Sequence, residues 1–577
     1  MALIDKASLL FVPSVVAEGK VFNILPSGNR APDSTDQNSG YDQTRADFDF
    51  DRGSNAAATR IGSDGLLKKY RENLALHSNS FDNWTNYLTN ETSGQADKDG
   101  GTNAWLLEKT AAGASIYRTP SPSGVATFSV YLKSGTLNWV RLDYTGGGSK
   151  GYFDLKNGVL GSVVGGPIDT KIENVGGGWY RCSITTTSTG SGVGIVPAES
   201  DGSVSGTSGN ILIQNAQLES GLVATEYLES TSVTGKAGVL VDLPRINFDA
   251  NGENGALLLE PSRQQLLQYS EYFDGWTGNG ASITTNSTTS PEGVQNASTI
   301  TGVSGNNRIY LLETTTSGTT YTLSFYAKKG TSSTIGLDFI NVSSGTTFNF
   351  DTKSWGTNAA WDLFDYEELD NGWFRLYGVI DSNTTSAGIG IYVESGETAY
   401  IFGAQLEAGS YPSSYIPNHG ESGGVTRAAD SCTTDDLQTL NVFNGSQGAV
   451  LFEGVKNGET IFSNFVVTAN SNTNKSLLVD NSSGTIRLRV WNASSGQDAT
   501  ISTSSVDDGT FKYLIKWNAG SLAVYFNGSS VGTDTITAYS YTNVNLKEGT
   551  FSNNYIKQFT LFDEVPTDAE CVTLTTL

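Results

Sequence analysis

The feature that most constrains the fold is a phrase of twelve residues that occurs twice. The residues NLALHSNSFDNW, from Asn73 to Trp84, return as QLLQYSEYFDGW, from Gln265 to Trp276. Three further phrases, TFSVYLKSG, GWYR and NAQLESG, return in the same order as TLSFYAKKG, GWFR and GAQLEAG. Collinear matches at a nearly constant offset indicate a duplicated domain rather than a repeated catalytic motif.

The local pattern of each copy is that of antiparallel sheet. Phe128, Val130 and Leu132 alternate with polar residues, which predicts a strand with one buried face. Ser, Thr and Asn together with 66 glycines separate short apolar runs, as in many-stranded sandwiches. No amphipathic helix of ten residues is evident in either copy. We therefore predict an all-β chain of tandem antiparallel β-sandwiches, with the twin phrases as first strands.

The repeats and the linkers between them divide the chain into five segments. Residues 1–70 hold no complete domain and form a short N-terminal attachment segment, 71–241 are the first jelly roll, and 242–262 are a linker. The second jelly roll covers 263–432. A further sandwich, which does not contain the phrases of the two repeats, covers 433–577. Each repeat is framed by related phrases, RADFDFDRGSNAAATRIGSDGLL (Arg45–Leu67), DLPRINFDANGENGALLLEP (Asp242–Pro261) and GGVTRAAD (Gly423–Asp430), which we expect to dock neighbouring units.

Charge and composition exclude several classes of protein. The net charge of −24 repels phosphate backbones, so we expect no binding of nucleic acid. No run of 18 apolar residues occurs, which predicts no membrane insertion. The first twenty residues carry Asp5 and lack a basic leader, a poor secretion signal. Three distant cysteines form no disulfide framework and no metal-binding pair, which indicates synthesis in a reducing cytoplasm.

Tryptophans that occupy the same place in both copies are best explained by packing. Trp84 matches Trp276, and Trp179 matches Trp373. A residue that both copies retain is predicted to belong to the core, and Trp517, in the middle of a predicted strand, is assigned to the core as well. The neighbouring arginines of the GWYR and GWFR phrases are predicted to form structural ion pairs.

The phrases also resemble a known group of proteins. The pattern from the twin phrase through S-x-Y-x-K-x-G, G-W-aromatic-R and A-Q-L-E-x-G to SYIPN is similar to tandem jelly-roll domains in structural proteins of tailed bacteriophages. Those domains look like carbohydrate-binding modules. The segments FKYLIKWNAGSLAVYFNG and IKQFTLFDEVPTDAE resemble the concanavalin A-like (laminin-G/pentraxin) lectin fold. The resemblance covers roughly residues 45–577 and is weaker in the first copy, which has EYLES in place of SYIPN.

What the resemblance implies is a tail or head fibre on a virion surface, assembled in the host cytoplasm. Its N-terminal segment would attach to other virion proteins, and its outer domains would adhere to host surface polysaccharide. A homotrimer is expected by analogy, since the chain shows no heptads. A purely structural capsid decoration, collar or tail-hub role is the main alternative, and a polysaccharide depolymerase is the second.

Tryptophans that lack a counterpart in the other copy are the candidate glycan-binding residues. Sugar rings stack on aromatic faces while their hydroxyls meet amides and carboxylates. Trp355 and Trp361 belong to an acidic and aromatic cluster in the second copy, and Trp139 is specific to the first. Trp491 and Asn492 end a predicted strand at a loop rim of the last domain.

The sequence favours a binding protein over an enzyme. Only two histidines occur; His77 matches Tyr269 of the second copy, and His419 is predicted to lie in a solvated turn. A glycosidase needs two carboxylates, and 59 acidic residues leave that possibility open. No cofactor is expected, although jelly rolls of this type commonly hold a structural calcium ion. The SDGS and QLE phrases could supply calcium ligands, but no twelve-residue calcium loop is present.

Overall fold

The structure is a computed structural model of the 577-residue chain. It describes residues 7, 9–17, 20–24, 48–53, 57–144, 148–187, 192–434, 446–456, 465–469, 472–482, 485–492, 496–505, 509–518, 520–536, 543–546 and 554–577. In the described part of the chain, no helix has the length and apolar character needed to cross a membrane.

The N-terminal region contributes six short strands. They are β1 (Leu9–Ala17), β2 (Lys20–Ile24), β3 (Phe48–Asp51), β4 (Thr59–Ile61), β5 (Leu67–Lys69) and β6 (Arg71–Asn73).

The first repeat forms a sandwich of two six-stranded antiparallel sheets. One sheet has the order β14-β13-β12-β17-β10-β7 and the other β15-β16-β11-β18-β9-β8. A 3-10 helix, Phe81–Asn83, precedes the strands. The strands are β7 (Thr85–Tyr87), β8 (Thr89–Gln95), β9 (Ala104–Lys109), β10 (Ser115–Arg118), β11 (Ala126–Ser134), β12 (Trp139–Tyr144), β13 (Ser149–Asp154), β14 (Val159–Val164), β15 (Asp169–Gly176), β16 (Trp179–Thr186), β17 (Val193–Ala198) and β18 (Gly209–Ser220).

The second repeat forms an equivalent sandwich after the linker strands β19 (Gly235–Ala237), β20 (Arg245–Asn247), β21 (Ala256–Leu259) and β22 (Arg263–Gln265). Its two sheets have the orders β23-β26-β33-β28-β29-β30 and β24-β25-β34-β27-β32-β31. The 3-10 helices are Phe273–Gly275 and Asp370–Gly372. The strands are β23 (Thr277–Asn279), β24 (Ala281–Thr288), β25 (Ala297–Gly302), β26 (Arg308–Thr314), β27 (Thr320–Lys329), β28 (Thr334–Ile340), β29 (Ser343–Asn349), β30 (Ser354–Trp355), β31 (Leu363–Glu368), β32 (Trp373–Asp381), β33 (Ser386–Tyr392) and β34 (Thr398–Ala408).

The remaining strands, except one that pairs with β22, form one large antiparallel sheet that curls over a single core. Ile501 and Val524, near its two ends, belong to the same buried cluster. A capped helix, α1 (Asp568–Thr575), covers part of its outer face. The strands are β35 (Val425–Arg427), which pairs with β22, and β36 (Ser431–Thr433), β37 (Gln447–Lys456), β38 (Phe465–Ala469), β39 (Asn472–Ser482), β40 (Thr485–Asn492), β41 (Gly496–Ser505), β42 (Gly509–Asn518), β43 (Ser521–Phe526), β44 (Ser529–Thr535), β45 (Asn543–Asn545) and β46 (Asn554–Phe562).

The N-terminal strands are part of this terminal sheet. Leu9 pairs with Leu561, and β3 pairs with β36 through Phe50 and Cys432. Thus β1 to β3 fill the sheet between β46 and β36. The terminal sandwich therefore includes strands from the segment that the sequence analysis separated as residues 1–70. A sequence pattern identifies such strands but not their distant partners.

The strand predictions are confirmed at the positions that define the cores. Phe128, Val130 and Leu132 are fully buried, and Trp179 and Trp373 are each 2% exposed. Apolar side chains that alternate along a strand bury one continuous face, which is why the alternation alone was sufficient to predict these buried strands. The fold class follows directly: the chain is all-β and built of tandem antiparallel β-sandwiches.

The twin phrases are not first strands, which corrects the prediction. Each forms a short turn of 3-10 helix whose Phe is buried, Phe81 in one copy and Phe273 in the other. The tryptophan that follows donates from its indole nitrogen to a backbone carbonyl seven residues earlier, at 3.0 Å from Trp84 and 2.9 Å from Trp276. In both copies the phrase contributes its phenylalanine and its tryptophan to the sandwich core.

The first residue of each twin phrase ties together four backbone groups. The Asn73 amide donates to the Ala216 and Leu228 carbonyls and accepts from the Ala75 and Leu218 N–H groups. Gln265 makes the equivalent set of bonds in the second copy, with Ala404, Ile416, Leu267 and Leu406. Both amides are fully buried.

Replacing Asn73 with alanine is expected to lower the free energy of unfolding of the first sandwich by about 2–3 kcal/mol, because it leaves buried backbone groups without hydrogen-bond partners. The measurement is urea denaturation, and Gln265→Ala should have the same effect on the second sandwich. Asn83→Ala, at an exposed position of the same phrase, is the control. Equal urea midpoints for Asn73→Ala and Asn83→Ala would show that the buried Asn73 amide does not stabilise the first sandwich.

The three docking phrases meet in one buried ion network. Arg245 donates to Glu260 and to Asp430, each at 2.6 Å, and Arg427 lies 2.9 Å from Glu260. Arg52 approaches Asp430 at 3.7 Å. Burial alone would raise the pKa of Glu260, but the two nearby arginines hold it at about 2. The predicted docking role of these phrases therefore has a physical basis in charge pairing.

Candidate functional site

The outer face of one sheet of the first sandwich carries polar and aromatic side chains together. On β12, Val140, Leu142 and Tyr144 point into the core, so Trp139, Arg141 and Asp143 point outward. Tyr152 of β13 and Tyr117 of β10 lie on the same outer face, because their neighbours Phe153 and Ile116 are core residues.

This outer face is recessed rather than fully exposed. The side chains of Arg141 and Asp143 are each only 15% exposed, and Tyr152 is 5% exposed. Gly194 lies opposite both Asp143 and Tyr117 in the sheet, and a β-carbon added there would lie 3.6 and 3.7 Å from their β-carbons. Because glycine has no side chain, a shallow slot remains on the outer face between the Asp143 carboxylate and the Tyr117 ring.

The centre of the face is a two-point ion pair. Arg141 donates from Nε to one oxygen of Asp143 at 2.5 Å and from Nη2 to the other at 2.7 Å. Its guanidinium lies 5.8 Å from the centre of the Tyr152 ring. Burial alone would lower the pKa of Arg141, but the bonds to Asp143 raise it. The pair is fixed in position and offers a donor and an acceptor side by side, which suits a vicinal pair of hydroxyls.

The second sandwich has a similar cluster on the corresponding sheet. Arg308 lies 3.2 Å from Asp338 and 5.8 Å from the centre of the Tyr310 ring. Tyr392 lies across Gly336, where an added β-carbon would be about 2 Å from the ring. The arginine comes from β26 here but from β12 in the first copy, so the cluster recurs without identical strand positions.

Of the predicted glycan-binding residues, Trp139 joins this site. It is half-buried at one end of the outer face, and its ring lies against Gly161 of the neighbouring strand. Sequence reasoning missed Arg141, Asp143 and Tyr152. The alternation in WVRLDY carried the signal, because it places Trp139, Arg141 and Asp143 on one side of the strand.

The other predicted residues lie elsewhere. Trp361 is 6% exposed within the second core, and its ring centre is 4.6 Å from that of Phe364. Trp355 stacks on the same phenylalanine at 5.0 Å and donates to the Asp365 carbonyl. These stacks cover ring faces that a sugar would need. The side chains of Trp491 and Asn492, in β40, lie outside the described residues.

His419 does not lie in a solvated turn, which corrects the sequence prediction. It lies between the two sandwiches, where its carbonyl accepts from the Val125 N–H and its Nδ1 is 3.9 Å from Glu271. It lines a cleft of about 240 Å³. Burial, with Lys69 nearby, lowers the pKa of His419 to about 3.

Two carboxylates converge in the same cleft region on a single lysine. Lys69 lies 2.8 Å from Glu292 and 3.2 Å from Glu271, and the Tyr415 hydroxyl donates to Glu271 at 3.1 Å. The side chains of Glu271 and Glu292 are only 1% and 6% exposed. The geometry is that of an ion triad joining β5 to the second sandwich.

His419 makes a testable contribution to pH dependence. The unfolded chain binds a proton on this histidine near pH 6.5, whereas the folded protein excludes it until about pH 3. Stability is therefore lost as the pH falls through this window, by about 2 kcal/mol at pH 5. Lys69, Glu271 and Glu292, the charged groups near the ring, remain in the His419→Gln variant.

The urea midpoint of His419→Gln should fall less between pH 7 and pH 5 than that of the parent. His77→Gln, which leaves His419 in place, is the control. Parallel pH profiles for the parent and His419→Gln would refute the assignment.

The positions considered for calcium are occupied by protein groups. Glu219 accepts from the Thr225 N–H at 2.9 Å and from its hydroxyl at 2.5 Å, and Glu407 is bound likewise by Ser413 at 2.9 and 2.6 Å. Asp201 of SDGS accepts from Ser162. Within the residues that the structure describes, no group of three or more His, Cys, Asp or Glu side chains is arranged to hold a metal ion.

No protein-family model and no curated protein sequence matches the chain. Among solved structures, the chain is similar to the carbohydrate-binding module CBM40 of the Ruminococcus gnavus IT-sialidase bound to α2,3 sialyllactose. Identity is 12%, covering 25% of this chain and 91% of that one, with a TM-score of 0.21. The tandem CBM22 domains of Paenibacillus barcinonensis Xyn10C align over 62% of this chain and 99% of theirs, at 14% identity and a TM-score of 0.17. The SAP-like pentraxin of Limulus polyphemus aligns over 22% and 69%, at 21% identity and a TM-score of 0.19. The strand pairing itself establishes the fold class, tandem antiparallel β-sandwiches.

Proposed function

We propose that this protein binds carbohydrate through the recessed outer faces of its two duplicated sandwiches. The observation that carries the proposal is the Arg141–Asp143 pair, held at 2.5 and 2.7 Å beside Trp139 and Tyr152. Sugars present an apolar ring face and a rim of hydroxyls, and this face offers aromatic surface with a fixed donor and acceptor.

The biological setting we propose is the surface of a tailed bacteriophage particle, where the chain adheres to host polysaccharide as a tail or head fibre. The support is the resemblance of the repeated phrases to phage structural proteins. The proposed homotrimer and the attachment to other virion proteins have the same support.

A structural role as a decoration, collar or tail-hub component is the alternative that one observation favours. The edge strand β14 exposes four large apolar side chains, Val159, Leu160, Val163 and Val164, at 38–54%. In the second copy, Trp355 and Trp361 pack on Phe364 in the corresponding stretch. An exposed apolar edge is typical of a surface that meets another protein.

The test is binding of the purified full-length chain to a glycan array and to host cells, with release of reducing sugar assayed alongside. Saturable glycan binding without sugar release is the expected result. Sugar release would support the depolymerase alternative and contradict a purely binding role. Absence of glycan binding, together with co-purification with virion proteins, would favour the structural alternative.

A further inference from the structure

A second cleft, of about 220 Å³, lies where the second sandwich, the docking segments and the terminal sandwich meet. Arg375 and Glu367, from β32 and β31, line one side. Arg60 of β4 and Asn247 of β20 line another, and Tyr555 of β46 contributes from the terminal sheet. The volume suits one sugar-sized group.

The two arginines of this cleft are incompletely paired. Arg375 is 5% exposed and donates from Nη2 to the Ser413 carbonyl and to Ser324, while its nearest carboxylate, Glu367, is 3.9 Å away. Arg60 donates to the Ile246 carbonyl, and within the described residues no carboxylate lies within 4.0 Å of it. The Nε groups of Arg60 and Arg375 are both buried without a hydrogen-bond partner. Buried donors of this kind are costly unless a ligand or water satisfies them.

Two of the three carboxylates that line the cleft are engaged by groups other than these arginines. Glu368 is engaged by Lys353 at 2.6 Å, and Asp249 accepts from the N–H groups of its own turn. Glu367 approaches Arg375 at 3.9 Å, and Asp64 interacts electrostatically with Arg60. Behind Ser414, which lines the cleft, lies the buried network of three arginines and two carboxylates. The lining thus holds two arginines and three carboxylates, of which Glu368 and Asp249 are already bound by other groups.

The remaining lining is aromatic and apolar. Tyr326, Tyr415, Tyr555 and Phe248 contribute rings, and Leu369 adds an aliphatic side chain. Guanidinium groups recognise carboxylates through paired charged hydrogen bonds, and aromatic walls favour the ring that carries the carboxylate.

We propose that this cleft binds the carboxylate of an acidic sugar, with Arg60 and Arg375 as donors and the tyrosine rings beside the sugar ring. This inference rests on the proposed carbohydrate function in naming a sugar, but it concerns a site separate from the outer faces. It predicts a preference for acidic glycans that the outer faces alone do not require.

The test is a titration of the full-length protein with glucuronate, glucose and acetate in turn, in which binding is detected by saturation-transfer NMR. Glucuronate should bind at least about tenfold more tightly than glucose or acetate. Affinity for glucose equal to that for glucuronate would overturn the carboxylate role of the cleft, and equal affinity for acetate would overturn its assignment to a sugar.

Two variants locate the site. Arg60→Gln should weaken glucuronate binding about tenfold while leaving the thermal midpoint unchanged. Glu367→Gln removes the opposing carboxylate and should tighten glucuronate binding several-fold, a gain that misfolding cannot produce. Unchanged affinity in both variants would overturn the proposal.

The control Arg141→Gln/Arg308→Gln should leave glucuronate binding intact while weakening neutral glycans on the array. The double variant therefore distinguishes a failure of glycan binding at the outer faces from a failure of glucuronate binding in this cleft. Loss of glucuronate binding in that control alone would place the carboxylate on the outer faces and refute the cleft.

Discussion

Replacing Arg245 with methionine should lower the free energy of unfolding by about 3–5 kcal/mol. The Arg245 side chain is fully buried and binds Glu260 and Asp430, each at 2.6 Å, as well as the Thr59 carbonyl. Methionine fills a similar volume but leaves both carboxylates without their closest cationic partner. Because the network joins the three docking phrases, the loss should appear in the transition of the second and terminal sandwiches.

The measurement is urea denaturation followed by tryptophan fluorescence. Lys68→Met is the matched control, since Lys68 forms an exposed pair with Asp64 at 2.5 Å and its loss should cost less than about 1 kcal/mol. A midpoint for Arg245→Met as high as that of Lys68→Met would show that the network does not hold the units together.

The double variant Arg141→Gln/Arg308→Gln should lose glycan binding by about a hundredfold or more. Each arginine holds a carboxylate beside an aromatic ring on one outer face, at 2.5 Å from Asp143 in the first copy and 3.2 Å from Asp338 in the second. Glutamine removes the positive charge in both copies and, in the first copy, the two-point contact with Asp143 as well. The single variants should each retain binding through the other copy, with weaker avidity.

Binding is measured on immobilised neutral glycan by surface plasmon resonance. Trp139→Ala should weaken the first face by about tenfold, because it removes the aromatic end of that face. Lys171→Gln, on the outer side of the opposite sheet in the first sandwich, removes one positive charge as a control. A double variant that binds as tightly as Lys171→Gln would exclude the outer faces as the binding site.

Much of the architecture was predictable because it depends on local periodicity. The alternation around Phe128 and the Asn527-Gly528 turn specify a strand and a hairpin without distant partners, and both are present. Asn527 has a left-handed φ of 43°, which is the conformation that a two-residue Asn-Gly hairpin turn needs at its first residue. The pairing of tryptophans between copies likewise separated core positions from the rest.

The candidate site was only partly predictable. Trp139 was identified because it lacks a counterpart in the second copy, but Trp361 lacks one too and is buried against Phe364. Absence from one copy shows that the common fold does not need a residue. It does not show whether the residue faces solvent, which depends on neighbours distant in sequence.

The sequence by itself determined the duplication, the sandwich class and the core faces, because strand alternation and turn chemistry act over a few residues. The tertiary structure alone decided which distant charges meet. It brought Arg52, Arg245 and Asp430 together from segments up to 378 positions apart, inserted β1 next to β46, and placed His419 between two sandwiches. Such contacts depend on chain topology and on the cost of leaving a buried charge unpaired, and neither leaves a periodic trace in the sequence.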